Sequence, residues 1–188
     1  DELLAFTNKM LIRRQDRIQR QLVPQVHITH LSDTEVPGNV EFAIPGGVFI
    51  SESHSWAALE PEGSIRVGID DFAKKLIGKI DAIEFPNLGM EVQKGQHLFS
   101  IKQGTHSIPF KSPVTGKVEH VNNALKDDLE RLDVSTYGKN WICKIDASRL
   151  DTELKELKIG HGAVSLFNED IKKVQSYVQR AVKATTDE

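Results

Sequence analysis

The residues able to do chemistry in this chain are few, and their spacing is informative. His27-Ile28-Thr29-His30 has the His-x-x-His spacing seen at zinc sites, but no second pair of ligands accompanies it, so no metal is expected. Cys143 is the single cysteine, which excludes an internal disulfide and any cysteine-only metal site. It alternates with Ile142 and Ile145 in a β-type run, the setting of a packed, inert thiol in a reducing compartment. No Ser-His-Asp order, glycine-rich phosphate loop or carboxylate pair stands out, so the chain does not read as an enzyme and catalytic residues are not assigned. The densest charge is Lys9, Arg13, Arg14, Arg17 and Arg20, five basic residues against the single acid Asp16. Such a stretch is either a solvated arm or a surface for anionic lipid, where each basic residue is worth about 1 kcal/mol.

These residues must be positioned by 188 residues carrying 24 Lys+Arg, 27 Asp+Glu and a formal charge of −3. That length suits one domain with appendages. Mild acidity argues against nucleic acid as a partner. No run approaches the ~20 apolar residues of a membrane span. The chain opens on Asp1 rather than Met, so any upstream anchor would lie outside it. Residues 1–22 read as a basic amphipathic helical arm, with Leu4, Leu11, Ile18 and Leu22 at seven- and four-residue steps. Pro24, Pro37, Gly38, Pro45 and Gly46-Gly47 punctuate residues 23–47, which read as a linker.

From residue 48 the pattern becomes short β-type runs separated by turn signals. Strands are expected over 48–50, 64–69, 79–85, 98–102, 108–111, 117–121 and 141–145. Helices are expected over 71–77, with Asp70 as N-cap and Gly78 as C-terminal cap, and over 124–132. Trp56 and Trp141 are expected to close the two ends of the sheet. In the C-terminal extension, residues 148–188, the stripe Phe167, Ile171, Val174, Val178 and Ala181 predicts a helix capped by Asn168 and docked on the core. Gly78-Lys79-Ile80-Asp81-Ala82-Ile83 recurs 38 residues later as Gly116-Lys117-Val118-Glu119-His120-Val121. The echo predicts symmetry-related strands in two stacked sheets.

With these residues in hand, the chain resembles the glycine cleavage system H protein family, which carries lipoate on a lysine. His54-Ser55-Trp56 resembles the family's His-Glu-Trp, and Val67-Gly68-Ile69-Asp70-Asp71-Phe72-Ala73 its Val-Gly-Ile-Thr-Asp-Tyr-Ala. Phe85-Pro86-Asn87-Leu88-Gly89, Val92-Gln93-Lys94-Gly95, Ser112-Pro113-Val114-Thr115-Gly116, Val121-Asn122-Asn123-Ala124-Leu125 and Tyr137-Gly138-Lys139-Asn140-Trp141 follow in the family's order. The resemblance covers residues 48–147. It implies a mainly β, lipoyl-domain-like fold, a barrel-sandwich hybrid with short flanking helices.

One departure bears on function. The family's Glu-Ser-Val-Lys-Ala stretch falls on Lys102-Gln103-Gly104-Thr105-His106, counted without a gap forward from Gly95 or backward from Ser112. The lipoyl-lysine position is therefore Thr105, whose hydroxyl cannot form the lipoyl amide. Phe99 and Ile101, with Ile108 and Phe110, predict a hairpin around a turn at Gln103-Gly104. The resemblance then implies an H-protein-like module without cofactor. Such a module acts through protein contacts, with glycine-cleavage-like or lipoate-dependent enzymes as partners. The alternative is a working lipoyl or aminomethyl carrier modified at a displaced lysine such as Lys102. A solvated turn histidine is the expectation for His106. Localisation is expected to be cytoplasmic, with peripheral membrane contact through the basic arm or tethering by a segment outside this chain.

Overall fold

The computed structural model describes residues 25–28 and 41–186, and the basic arm lies outside them. Eleven strands form three antiparallel sheets among these residues. The largest has the order β3-β4-β5-β11-β10-β7 and joins Phe49–Ile50 (β3), Ser55–Leu59 (β4), Ile65–Ile69 (β5), Cys143–Ala147 (β11), Gly116–Val121 (β10) and Glu91–Val92 (β7). The second has the order β6-β8-β9: Ala82–Glu84 (β6), His97–Gln103 (β8) and His106–Lys111 (β9). The architecture is mainly β with short flanking helices, as the sequence predicts.

Between these two sheets lies the principal core. β5 shows why its sequence makes a strand: Ile65, Val67 and Ile69 are fully buried while Arg66 is half-exposed, the two-residue period of a pleated surface. They meet Leu98, Phe99, Ile101 and Phe110 of the smaller sheet, together with Val118 and Ile145. The Phe99 and Phe110 rings stack with centroids 5.1 Å apart. Cys143 is fully buried in this core. Burial alone pushes its thiol up to about 12, which suits an inert packing role.

Helix α1 (Asp71–Ile77) obeys its predicted signals. The Asp70 carboxylate accepts from the Ala73 N–H at 2.8 Å, and Gly78, at φ 76°, closes the helix with its N–H on the Lys74 carbonyl. Helix 124–132 does not form as one piece. Extended backbone at Asp128 divides it into α2 (Asn123–Asp127) and α3 (Arg131–Val134).

Three further expectations are revised. Residues 23–47 contain a hairpin, β1 (Gln25–Ile28) paired with β2 (Phe42–Pro45), although they read as a linker. Phe42, Ile44 and Val48 are buried, and Pro45 is the last residue of a strand followed by Gly46-Gly47, so these breakers end a strand rather than remove it. The repeated hexapeptides lie one in each of the two sheets. The first, however, enters a strand only at Ala82, in β6 at the edge of the small sheet, whereas the second fills β10 inside the large one. Their glycines also differ in role: Gly78 caps a helix, whereas a Cβ on Gly116 would lie 2.0 Å from the Asp146 carbonyl oxygen. Finally, β4 and β7 are strands the sequence reading did not propose, and β11 begins at Cys143 instead of Trp141.

The chain then crosses α4 (Leu150–Glu153) and a 3-10 turn (Leu154–Glu156). Lys158 and Ile50 exchange two backbone hydrogen bonds, which fastens the extension to β3. Helix α5 (His161–Thr186) begins just after Gly160 and not at Asn168, because the fully buried Ala163 and Phe167 anchor its first turns. Ile171 and Val174 are half-buried, but Val178 is 50% exposed, so the predicted stripe leaves the core along the helix. Phe167 completes a second apolar cluster with Phe42, Ile44, Val48, Ile50, Trp56, Phe72 and Tyr137.

Trp56 is fully buried in that cluster and donates from its indole nitrogen to the Thr136 carbonyl at 2.9 Å. The indole lies flat against Gly68, where a Cβ would stand 2.7 Å away; this explains the glycine within the Val67-Gly68-Ile69 motif.

Candidate functional site

The β8–β9 hairpin projects residues 102–106, onto which the resemblance puts the family's lipoyl-lysine stretch. Gln103 pairs with His106, so the turn is Gly104-Thr105, one residue later than the Gln103-Gly104 turn expected. Gly104 has φ 55°, the only positive value of the two central residues, as a type II′ turn requires of its first position. Thr105 is exposed, as are Gly104 and His106. The position is therefore presented to solvent by a two-stranded support whose apolar face is anchored in the principal core.

Below the tip, each neighbouring residue is tied down. The Gly104 N–H donates to the Asp81 carboxylate at 2.7 Å, and the Gln103 side-chain amide donates to the Ile77 carbonyl at the end of α1. The Lys102 ammonium pairs with Glu84 of β6 at 2.6 Å, and this hydrogen bond holds the Glu84 carboxyl below its ordinary range. Lys102 sits in the ladder between Ala82 and Ser107, within the strands and off the turn. The sequence proposed all five residues from Lys102 to His106. It missed Asp81 and Glu84, whose only signal was membership of an acidic-aliphatic strand.

A hydroxyl at the turn offers no amine for an amide bond. Thr105 therefore presents an uncharged, weakly nucleophilic group where a lysine would extend an ammonium into solvent. Among the described residues no group of three or more His, Cys, Asp or Glu side chains could hold a metal ion. His27 lies on β1 opposite Ala43, and His30 lies outside the described residues.

A second polar constellation, unnoticed in the sequence, sits in the second cluster. His54 Nδ1 is 2.7 Å from the Asp70 carboxylate and Nε2 is 3.3 Å from that of Asp170. The imidazole stacks on Phe72 with centroids 4.7 Å apart. Burial opposes the imidazolium, but the hydrogen bond and charge of Asp70, joined by Asp170, outweigh it and raise the His54 pKa. Burial raises Asp70 as well, against the opposing pull of His54. The motif residues His54 and Asp70 signalled part of this site, while nothing local marked Asp170.

Two facing antiparallel sheets with an exposed hairpin define a module of the lipoyl-domain fold class. The comparisons agree. The family model described as glycine cleavage H-protein matches residues 48–170. The probable glycine cleavage system H protein of Thermococcus gammatolerans is 39% identical over 117 residues, covering 62% of this chain and 87% of that protein. The glycine cleavage system H protein of Stenotrophomonas maltophilia is 31% identical over 127 residues, covering 68% and 97%. A crystal structure of a glycine cleavage system H protein from Mycobacterium marinum superposes with a TM-score of 0.52 at 25% identity, covering 56% of this chain and 87% of that one. The chain belongs to the glycine cleavage H-protein family, whose members are carriers and not enzymes.

Proposed function

We propose that this chain is a non-lipoylated H-protein module that works through protein contacts. The observation that carries this reading is Thr105 at the lipoyl-lysine position, on an exposed two-residue turn. The hairpin around it is intact: its strands pair in register from Phe99–Phe110 to Gln103–His106, and the tip is fastened through Asp81 and Gln103. A scaffold kept in order without its acceptor is what selection for a docking surface would leave. The partners are protein components of the kind H proteins visit, glycine-cleavage or other lipoate-dependent enzymes.

Relocation of the cargo to Lys102 meets two physical obstacles. Lys102 lies in the strand ladder three positions before the lost acceptor, and its ammonium is engaged by Glu84. The basic residues Lys9, Arg13, Arg14, Arg17 and Arg20 would add contact with an anionic membrane surface, which co-sedimentation with phosphatidylserine vesicles at low and high salt tests. Among the described residues no helix is long and apolar enough to cross a membrane.

The decisive experiment is intact mass spectrometry after co-expression with a lipoyl ligase and lipoate. The expected spectrum shows the unmodified chain. A stoichiometric lipoyl increment mapping to Lys102, or to any other lysine, overturns the proposal in favour of a working carrier.

A further inference from the structure

The His54 constellation joins two parts of the molecule that the sequence keeps far apart. Asp70 is the fully buried cap of α1, while Asp170 sits on the C-terminal helix α5, at the last residue of the family match. His54 stands between them at φ 61°, and it is the one non-glycine residue with positive φ among those described. A β-type loop would ordinarily place glycine or asparagine there. Backbone strain at such a residue persists when the surroundings over-determine its position. Here a ring stack on Phe72, a carboxylate at each ring nitrogen and a hydrogen bond from the Asp70 N–H to the His54 carbonyl all do so.

The geometry points to a protonation-gated clasp: imidazolium His54, donating to Asp70 and Asp170 at once, holds helix α5 over the aromatic cluster, and neutral His54 releases that hold. Only the protonated ring has a donor on both nitrogens. Once neutral, it must turn one lone pair toward a carboxylate at 2.7 or 3.3 Å, which replaces attraction by repulsion. Helix α5 covers Phe42 and Phe72 with its own Phe167, whose ring centroid is 6.0 and 5.6 Å from theirs. Loosening the helix would expose the Phe42 and Phe72 rings.

Beyond its two partners Asp70 and Asp170, the charged groups around His54 do not supply an alternative switch. On the α1 side, Asp71 is engaged by the Ala43 N–H and by Lys75, each at 2.7 Å, and the Tyr137 hydroxyl accepts from the Asp71 N–H. On α5, Lys173 pairs with Asp170 at 2.6 Å; that hydrogen bond raises the Lys173 ammonium, with Glu169 and Glu52 adding to the effect. Lys173 therefore remains charged through neutral pH and restrains Asp170 from the solvent side. His54, raised above its ordinary 6.5, is the group that changes charge as pH climbs from neutrality. The clasp is closed at pH 6 and opens as pH rises through the His54 value.

Amide hydrogen exchange of the full chain at pH 6.0 and pH 8.5, corrected for intrinsic exchange, reads the clasp directly. Protection across residues 163–174 should fall roughly tenfold at the higher pH, the weight of one charge-assisted hydrogen bond, while β5 keeps its protection. Asp170→Asn, which leaves the His54–Asp70 pair in place, should remove that pH dependence. His54→Gln should do the same if it folds. Equal protection at both pH values, a loss shared equally by β5, or an undiminished pH response in Asp170→Asn would each overturn the proposal.

Discussion

The hairpin tip and the His54 cluster are both polar, yet the fold supports them in opposite ways. At the tip, Thr105 is exposed and its neighbours are tied by single surface bonds from Gly104, Gln103 and Lys102. In the second cluster, a buried carboxylate, a strained histidine and three aromatic rings constrain one another. Exposed turns accept new side chains at little cost because water takes over whatever contact is lost. Buried polar groups have no such recourse, so their partners are coupled. Thr105 therefore stands where substitution costs little, on a hairpin held in order by its strand pairing.

The sharpest way to break this contrast is to empty the second cluster. Phe167→Ala removes a fully buried ring and should cost about 3–5 kcal/mol in denaturant unfolding, against about 1–2 for the half-buried Ile171→Ala. Equal losses would mean that α5 docks differently. Gly68→Ala drives a methyl into the Trp56 indole and should cost about 1–3 kcal/mol, with a displaced tryptophan emission.

A gentler probe is pH. Because the His54 pKa is raised on folding, its contribution is complete below pH 6.5 and is lost as pH rises through the folded value. The urea midpoint should thus be higher at pH 6 than at pH 8.5, and His54→Gln should flatten that difference.

At the small end, Thr105→Lys should change stability by no more than about 0.5 kcal/mol, because the turn is solvent-facing. Mass spectrometry should then show partial lipoylation by a ligase. Adding Lys102→Glu restores the family's acidic residue and should raise the yield, although it sets a second carboxylate beside Glu84. If neither variant takes up lipoate while folded, the tip has diverged beyond the acceptor residue itself.

Much of the principal core was legible because local and global signals agree there. The two-residue period of Ile65, Val67 and Ile69, the Asp70 cap, the Gly78 stop and the Phe99–Ile101 face each specify their element within a few residues of chain. The hairpin was placed within one residue by the same logic. Its turn was shifted because either of two adjacent dipeptides can hold Gly104 at positive φ, and only the Gln103–His106 pairing selects one.

Other features had no local signature. Residues 23–47 look like a linker because prolines and glycines surround β2, yet Phe42 and Ile44 are buried once α5 arrives to cover them. The repeated hexapeptides promise equivalent strands, but Gly78 is claimed by a helix and Gly116 by its approach to Asp146. Asn168 is a good cap in isolation and lies inside a helix because Ala163 and Phe167 bury earlier turns. The sequence by itself determined the family, most strands of the principal core and the hydroxyl that Thr105 carries in place of an amine, since these rest on residue identity and short-range period. Tertiary structure alone decided that His54 meets Asp170, 116 residues away, because only packing brings a C-terminal helix onto an N-terminal loop.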